Sequence, residues 1–429
     1  MPEPLEGITV IEMTIAVQGP AAALFLRDMG AEVIRIEPPI GDGTRYLKGR
    51  QNETQEDTMG TQFVAVNRGK RSVCLDIHSD LGSKAVMALL EKADVFLTNF
   101  RELALDKMGL SYDKLKQKFP RLVYASANGF GPRGPDANKA MIDAVAATRS
   151  GLIHHTGYPD QAPAMPGAII SDTAGAMQLA LGIMTALVSR ERHGKGQRVQ
   201  TSSLGAMLWL QQWEITHTAM TDANLPRDGN HHPLLTGFYG IYETKDGRWI
   251  TLTQVLTQEG WDALCIFMEI FDMTFDSRVQ TPGQRLGNGL STEDSTEIRQ
   301  LFADGFARKT ISEWEAFLNN QPEIVWERAR SWQEVLEDEQ NIANDYLTTV
   351  NVPGVGETKT VGNLVSLSET PGSVKGDPPE LGEANNEILT ELGFSEVEIS
   401  KIENTATEQR EERLAIMCCV LEDVKRNNS

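Results

Sequence analysis

The stretch GITVIEMTIAVQGPAAALFLRDMGAEVIRIEPP, residues 7–39, decides the fold class. It opens with a short run rich in β-branched residues, which is typical of a strand. A Gly-Pro start then leads into an apolar helix-forming segment that stops at Gly30. A second apolar run follows, and two prolines end it. A strand, a helix and a second strand in this order form a βαβ unit, which implies a parallel sheet with a right-handed crossover.

The same alternation continues outward from this unit through the first third of the chain. Strand-like runs lie at 71–77, 94–100 and 121–131, with a helical segment at 83–93. Such alternation indicates an open α/β layer architecture. Past Thr201 the pattern changes. A linker-like segment at 226–233 is followed by a hairpin pattern at 237–253, by helical segments to about residue 345, and by loop chemistry from Pro371.

Length and composition limit the function classes. A chain of 429 residues is longer than one core usually organises, so we expect two domains or one large discontinuous domain. The net charge of −20 argues against nucleic acid as a partner, because neutralising phosphates needs a basic face. The first ten residues lack the pattern of a secretory signal, and the longest apolar run, 175–188, is too short to span a membrane.

The four cysteines predict neither a zinc site nor a disulfide framework. Cys74 and Cys265 are isolated, and the other two, Cys418 and Cys419, are adjacent, so no pair has C-x-x-C spacing. The adjacent histidine pairs His154-His155 and His231-His232 are poor metal ligands, because neighbours on a strand point to opposite faces. We therefore expect a reduced, metal-free protein in the cytoplasm.

Asp172 is the first candidate for chemistry. It stands between the mostly apolar run 167–171 and a long apolar helix-forming run. Asp is a preferred N-cap residue, so a purely structural role is one interpretation. The other uses the same geometry: a carboxylate held ionised at a helix N-terminus, with amides nearby to stabilise an oxyanion, suits a nucleophile. The spacing alone does not choose between them.

Other candidates are weaker when they are considered singly. Asp143 in NKAMIDAVAATR is interpreted first as a solvated charge on a helix face. The turn after the first strand, IAVQGP, lacks the G-x-G-x-x-G pattern of a dinucleotide site. The polar segment 41–60 is a loop or a lid. Several cations lie near strand ends, where open α/β sheets bind ligands: Lys70, Arg71, Arg101, Lys107 and Lys139.

Taken in order, a set of segments resembles the class III CoA-transferases, the family of formyl-CoA transferase and carnitine CoA-transferase. The segments are LEGITVIEM (5–13), VNRGKRSVCLDI (66–77), ADVFLTNFRELALDKMGLSYDKL (93–115), LVYASANGFGPRGP (122–135), residues 151–199 around PGAIISDTAGAMQ, and TPGSVKGDPPELG (370–382). The resemblance covers about residues 5–400. It is strongest up to residue 200.

The resemblance implies a fold and an assembly. We expect a large α/β domain from residues 1–215 and 346–429, with a doubly wound, mainly parallel sheet, and a small α+β domain at 225–345. Two chains are expected to form an interlocked homodimer. The activity implied is transfer of CoA from an acyl-CoA thioester to a free carboxylic acid, through mixed anhydrides and an aspartyl-CoA thioester. Coenzyme A is then a substrate, no cofactor is permanently bound, and no membrane is involved.

The resemblance also assigns roles to single residues. The family's nucleophile corresponds to Asp172, with Gly175 behind it and Asp143 at a nearby acidic position. A glutamine close to the nucleophile corresponds to Gln18 or, one register away, to Val17. Positions that hold CoA correspond to Leu75, Asn99, Phe100, Lys107, Met108 and Lys139.

Two departures from formyl-CoA transferase matter. Its cation after the second strand is replaced by Pro38, so we assign the phosphate contact to Arg35, Arg45 or another cation. Its mobile glycine flap over the aspartate is replaced by HHPLLTG, 231–237. We therefore expect His231, His232 and Thr236 to line the substrate pocket, and we expect a larger acid than formate or oxalate.

Two alternatives stay open. A racemase acting on α-methylacyl-CoA uses the same fold but needs a second base before the Asp143-type carboxylate, and Ile142 occupies that position. A CoA-binding module without catalysis is the other. The charged extension after about residue 405 is expected to be an amphipathic helix, which packs on the partner chain, or else a loose tail.

Overall fold

A computed structural model describes the backbone of residues 1–47 and 58–427, and the side chains of these residues through 412. The chain forms two compact units. The first comprises residues 1–149, 168–210 and the chain from 338 onward, and the second comprises residues 150–167 and 211–337. The domain boundaries expected above stay a prediction. So does the lid at 41–60, whose central residues 48–57 lie outside the described part.

The first unit is built on a six-stranded sheet. Its strands are β1 (Thr9–Met13), β2 (Glu32–Glu37), β3 (Arg71–Cys74), β4 (Val95–Thr98), β5 (Val123–Asn128) and β6 (Arg198–Ser202). All pairs are parallel, and the order across the sheet is β3-β2-β1-β4-β5-β6. This order is that of a doubly wound sheet, whose direction of winding reverses between β1 and β4. The expected α/β fold class with a parallel sheet is confirmed.

Helices cover both faces of this sheet. In the first half of the unit they are α1 (Gln18–Asp28), α2 (Thr61–Asn67), α3 (Asp80–Lys92), α4 (Glu102–Lys107), α5 (Tyr112–Lys118) and α6 (Asp143–Arg149). On one face, Val10 and Val95 pack with Ala22 and Leu179; on the other, Ile11 packs with Leu89. Successive side chains of a strand point to opposite faces, so central strands buried on both sides need the continuous apolar runs seen in the sequence.

The chain leaves the first unit after α6 and returns to it with a long helix. After α7 (Leu152–His155) of the second unit, α8 (Ser171–His193) and α9 (Ser203–Leu210) return to the first. The chain from 338 onward adds the elements α16 (Glu339–Ala343), β10 (Leu347–Val352), β11 (Gly356–Val361), α17 (Asn385–Glu391) and α18 (Glu396–Asn427), with β10 and β11 forming an antiparallel hairpin.

The C-terminal extension is helical. Within α18, Ile399, Ile402 and Ala406 are buried against the core beside α3 and α17. Arg410 donates from Nε to the carbonyl of Pro39 at 2.8 Å. The alternative of a loose tail is therefore wrong for the backbone to Asn427, whereas packing on a partner chain stays a prediction. The side chains of Cys418 and Cys419 lie outside the described part.

The second unit has its own sheet and core. Strands β7 (Gly240–Glu243), β8 (Trp249–Val255) and β9 (Ile324–Arg328) are antiparallel. The helices are α7, α10 (Gln212–Thr221), α11 (Gln258–Phe267), α12 (Pro282–Arg285), α13 (Thr292–Phe306), α14 (Ile311–Leu318) and α15 (Trp332–Glu337). The predicted hairpin at 237–253 is present as β7 and β8, with Gly247 at φ 72° in its turn. The predicted helical run to 345 is wrong at β9, where IVWER completes the sheet.

Candidate active site

A cleft of about 680 Å³ lies in the first unit, where the loops after β1, β4 and β5 meet α4 and the start of α8. Ligands of open α/β sheets bind at such a switch point, beyond the carboxyl ends of the strands. Asp172 lines this cleft together with Gln18, Asn99, Phe100 and Lys139. Five residues that the sequence placed in one site therefore surround one cavity.

Asp172 is in the first turn of α8, but it does not cap that helix. The residue before the helix, Ile170, has αR backbone angles and no capping side chain. The cap comes instead from Asp143, whose Oδ1 accepts the N–H of Ser171 at 2.6 Å and that of Asp172 at 3.1 Å. Asp143 thus satisfies amides that a helix N-terminus leaves free. The interpretation of Asp172 as an N-cap and that of Asp143 as a solvated surface charge are both wrong.

The surroundings of Asp172 change its acidity. Burial and, second, the negative charge of Asp143 raise the pKa of Asp172 to about 6, because both disfavour the ionised form of this side chain. The Ser203 hydroxyl opposes this by donating to Asp172 Oδ1 at 3.3 Å. At pH 7 such a group is about 90% ionised. It is also more basic than an ordinary aspartate, which favours nucleophilic attack.

The side chain of Gln18 packs against the backbone of Gly175, one helical turn after Asp172. Gln18 is the first residue of α1, its side chain is only 5% exposed, and its Nε2 has no hydrogen-bond partner among the described residues. A Cβ on Gly175 would lie 2.2 Å from that Nε2. Glycine at position 175 therefore leaves room for an amide group whose donor is free, next to the candidate nucleophile.

The other residues assigned to CoA are spread more widely. Phe100 and Lys139 line the cleft, and the Lys139 ammonium lies 5.6 Å from the ring centre of Phe130. Lys107 ends α4 on the surface, and Met108 packs half-buried at its C-terminus, both outside the cleft lining. Leu75 is buried in the core at 1% exposure, away from the cleft lining.

Arg35 and Arg45 are enclosed by carboxylates. Arg35 is fully buried and donates to Glu12 and Asp42, while Arg45 donates through Nε and Nη2 to Glu37 at 2.8 and 2.6 Å. Burial alone would raise the pKa of Glu37, but its hydrogen bonds with Arg45 and the charge of Arg35 lower this pKa to about 2. Neither guanidinium is presented to the cleft, so the structure does not support a phosphate contact for them.

The residues assigned to the substrate pocket lie in the second unit. His231 Nδ1 lies 3.0 Å from the Tyr239 carbonyl, and burial lowers the pKa of this histidine. His232 stacks on Trp213 and lies 3.3 Å from a Glu214 oxygen. Thr236 is half-buried. Their role towards a substrate stays a prediction.

Several polar residues of the cleft were not predicted from the sequence. Ser203 contacts the candidate nucleophile, and Ser126, Asn128 and Gln200 line the cavity along β5 and β6. One signal was available for Ser203, since a serine just before an apolar helical run is typical of a helix start. Ile142, which occupies the position of a racemase's second base, is a 72% exposed apolar side chain at the cleft.

Two properties of the described residues bear on other functions. Among them, no group of three or more His, Cys, Asp or Glu side chains could hold a metal ion. None of the helices in the same part of the chain combines the length and apolar character that crossing a bilayer requires. Cys74 and Cys265 are buried free thiols.

Comparison with known proteins gives a consistent result. The (R)-2-hydroxy-4-methylpentanoate CoA-transferase of Clostridioides difficile is 31% identical over 94% of this chain and 98% of its own length. A formyl-CoA:oxalate CoA-transferase of Streptomyces coelicolor is 30% identical over 94% of this chain and 98% of its own length. A crystal structure of a CAIB/BAIF family protein from Brucella suis superposes with a TM-score of 0.78 at 26% identity, covering 91% of this chain and all of the other.

The sequence model described as CoA-transferase family III matches residues 5–385. That range includes every strand of the parallel sheet, the cleft and the second unit. It ends at the first residue of α17, before α18 begins. This chain is a CoA-transferase family III protein.

Proposed function

We propose that this chain moves CoA from an acyl-CoA thioester to a free carboxylic acid, with Asp172 as the nucleophile. The observation that carries the proposal is the position of Asp172 in the cleft at the switch point of the sheet, half-buried, capped by Asp143 and beside the free Gln18 amide. The family and the names of its relatives support the class of reaction.

The reaction needs four substitutions at carbonyl carbon. An Asp172 oxygen attacks the donor thioester, the C–S bond breaks, and a mixed anhydride and CoA thiolate result. The thiolate attacks the aspartyl carbonyl of the anhydride, which releases the donor acid and leaves an aspartyl-CoA thioester. The acceptor carboxylate attacks this thioester and expels the thiolate again. The thiolate then attacks the acceptor's acyl carbon, which forms the new acyl-CoA and restores Asp172.

The surroundings of Asp172 suit these steps. Each step develops an oxyanion, and donors placed in advance stabilise it more than mobile water does. The free Nε2 of Gln18 is one such donor. Apolar residues such as Ile15 and Met141 line the same cleft and limit water, which would hydrolyse the anhydride. We assign contact with CoA to Phe100 and Lys139 in the cleft, and to Lys107 and Met108 beyond it.

Substrate size and assembly complete the proposal. Named relatives act on acids as different as oxalate, phenyllactate and 2-hydroxy-4-methylpentanoate. Because HHPLLTG is bulkier and stiffer than a glycine flap, we propose an organic acid larger than formate or oxalate. We also propose an interlocked homodimer and a cytoplasmic location.

Oxygen-18 labelling tests the nucleophile directly. In the proposed route, an acceptor acid carrying two ¹⁸O atoms leaves one of them on Asp172, so the tryptic peptide with this residue gains 2 Da after one turnover. It approaches a gain of 4 Da after many turnovers, because the carboxylate has two oxygens. Incubation with acyl-CoA alone should give a CoA-sized adduct on the wild type and on the exposed-residue control Asp113→Ala. Asp172→Ala should show neither signal.

The outcome that would overturn the nucleophile is transfer activity without label on Asp172. No transfer with any acid in a panel from formate to aryl- and branched hydroxy acids, despite CoA binding, would instead point to the racemase or the binding module. Formate or oxalate as the best acceptor in that panel would contradict the proposed substrate size.

A further inference from the structure

The loop from Thr14 to Val17, between β1 and α1, has a backbone that needs support. Ala16 has φ 64°, in the left-handed region that disfavours residues with a Cβ. A non-glycine residue in this conformation is strained, because its Cβ lies too close to the following carbonyl oxygen. The loop lines the cleft and leads directly into Gln18. Something outside the loop must therefore stabilise this conformation.

Asn99 supplies the first support. Its Oδ1 accepts the N–H of Ile15 at 2.9 Å, and its Nδ2 donates to the carbonyl of Ile15 at 2.7 Å. The sheet places the two residues side by side, because Met13 pairs with Thr98 at the ends of β1 and β4. The side-chain amide of Asn99 therefore continues the hydrogen bonding between β1 and β4, and it binds both the N–H and the carbonyl of Ile15.

Asp42 and Arg35 supply the second support. Asp42 Oδ2 accepts the N–H of Ala16 at 3.2 Å, and Arg35 Nη2 donates to the carbonyl of Thr14 at 3.2 Å. Arg35 and Asp42 also pair with each other, and both are almost completely buried. Thr14, Ile15 and Ala16 are thus each held by a side chain from another strand or loop.

We propose that Asn99 is a positioning residue, which acts through the loop to present the Gln18 amide to the carbonyl at Asp172. This rests on the function proposed above, and it differs from the direct contact with CoA that the resemblance implies for Asn99. Both ends of the Asn99 amide are occupied by Ile15. A residue that held CoA through the same amide would first have to release the loop.

The two roles predict different results for Asn99→Ala. A positioning role predicts that kcat falls about 100-fold or more, the range for losing one oxyanion donor. The Kd of free CoA, measured by calorimetry, should change less than about threefold. Hydrogen exchange of the Ile15 and Ala16 amides should become faster. The control Asn320→Ala, which loses a comparable side-chain bond to a backbone carbonyl in α14, should show neither effect.

A second substitution separates positioning from general damage to the fold. Adding Ala16→Gly to Asn99→Ala removes the Cβ that strains the left-handed conformation, so part of the lost kcat should return. Weaker CoA binding by tenfold or more with unchanged amide exchange would overturn the proposal in favour of direct contact. Unchanged exchange and unchanged kcat would overturn it as well. If the wild type transfers no CoA at all, the proposed function fails, and amide exchange still decides whether Asn99 holds the loop.

Discussion

As the proposed nucleophile, Asp172 has to be ionised, yet its surroundings disfavour the charge. Burial and Asp143 raise its pKa, and the Ser203 hydroxyl lowers it. The balance places the pKa near 6, which leaves a basic and mostly ionised carboxylate at neutral pH. Ser203 is fully buried at the start of α9, where the N–H of Leu204 donates to the Gly129 carbonyl and fixes the helix start.

The pH dependence of kcat/KM should report this balance. Because the ionised form is the proposed nucleophile, activity should fall as pH decreases through about 6. Ser203→Ala removes the group that lowers the pKa, so the acid limb should move to higher pH, by less than about 1 on the pH scale. Activity at pH 8 should change less than activity at pH 6.

Profiles of wild type, Ser203→Ala and a control, Ser400→Ala, check this prediction. Ser400 is an exposed serine of α18, so its profile should match that of the wild type. An acid limb that stays in place or moves to lower pH in Ser203→Ala would show that Ser203 does not tune the aspartate.

At the scale of elements, α8 depends on α6 for its cap. The two helices are separated along the chain by residues 150–167 of the second unit, so the cap exists only when the chain has returned to the first unit. Asp143 has two effects there: its oxygen accepts two amides, and its charge raises the pKa of Asp172.

Substitutions at position 143 should separate these effects. Asp143→Asn keeps an oxygen acceptor and removes the charge, so the acid limb of kcat/KM should move to lower pH with little loss of stability. Asp143→Ala also removes the acceptor and should lower the free energy of unfolding by about 1 kcal/mol more, as measured in urea. Equal stability of the two variants would show that the cap contributes nothing measurable. An acid limb unchanged in both would exclude coupling between the two carboxylates.

Elements differ in how well the sequence predicts them. The βαβ unit of residues 7–39 was predictable because its strands are buried apolar runs and its helix ends at a glycine, all local signals. β6 was missed, since RVQTS is short, polar and only half-buried. At β9 the sequence predicts a helix, because the strand character of this segment depends on pairing with β8. Local pattern does not encode such pairing.

The candidate site shows the same limit at a larger scale. Asp172, Gln18 and Phe100 could be proposed from the resemblance, and the structure brings them to one cleft. The cap by Asp143 and the contact with Ser203 join residues 28–31 positions apart through tertiary packing. Arg35 and Arg45 looked like free cations, because no sequence pattern shows that Glu12, Glu37 and Asp42 enclose them.

At the scale of the whole molecule, apolar side chains remain exposed on adjacent helices. Met177 and Leu181 of α8 are 60% and 66% exposed, and Trp209 and Leu210 of α9 are 64% and 57% exposed. α8 and α9 pack against each other, so these residues share one region of the first unit. Large apolar side chains exposed on two packed helices are typical of an interaction surface. We expect the proposed second copy of the chain to cover it.

Light scattering after size exclusion should therefore give twice the chain mass of 47.3 kDa. Leu181→Glu combined with Trp209→Glu should lower the fraction of dimer recovered after denaturation and refolding, because burying two unpaired carboxylates is costly. Val397→Glu, at an exposed position on α18, should leave the mass unchanged. A wild type that is monomeric at micromolar concentration would contradict the dimer.

The proposed interlocking also predicts how fast the two chains of a dimer exchange. Two chains that pass through each other cannot separate without unfolding, whereas chains that only touch can dissociate and exchange. When tagged dimers and untagged dimers are combined under native conditions, no dimer with one tagged and one untagged chain should form over days. Such dimers should form when the two preparations are denatured and refolded together. Exchange within hours at concentrations where the dimer persists would show an ordinary dimer, whose chains separate while they stay folded.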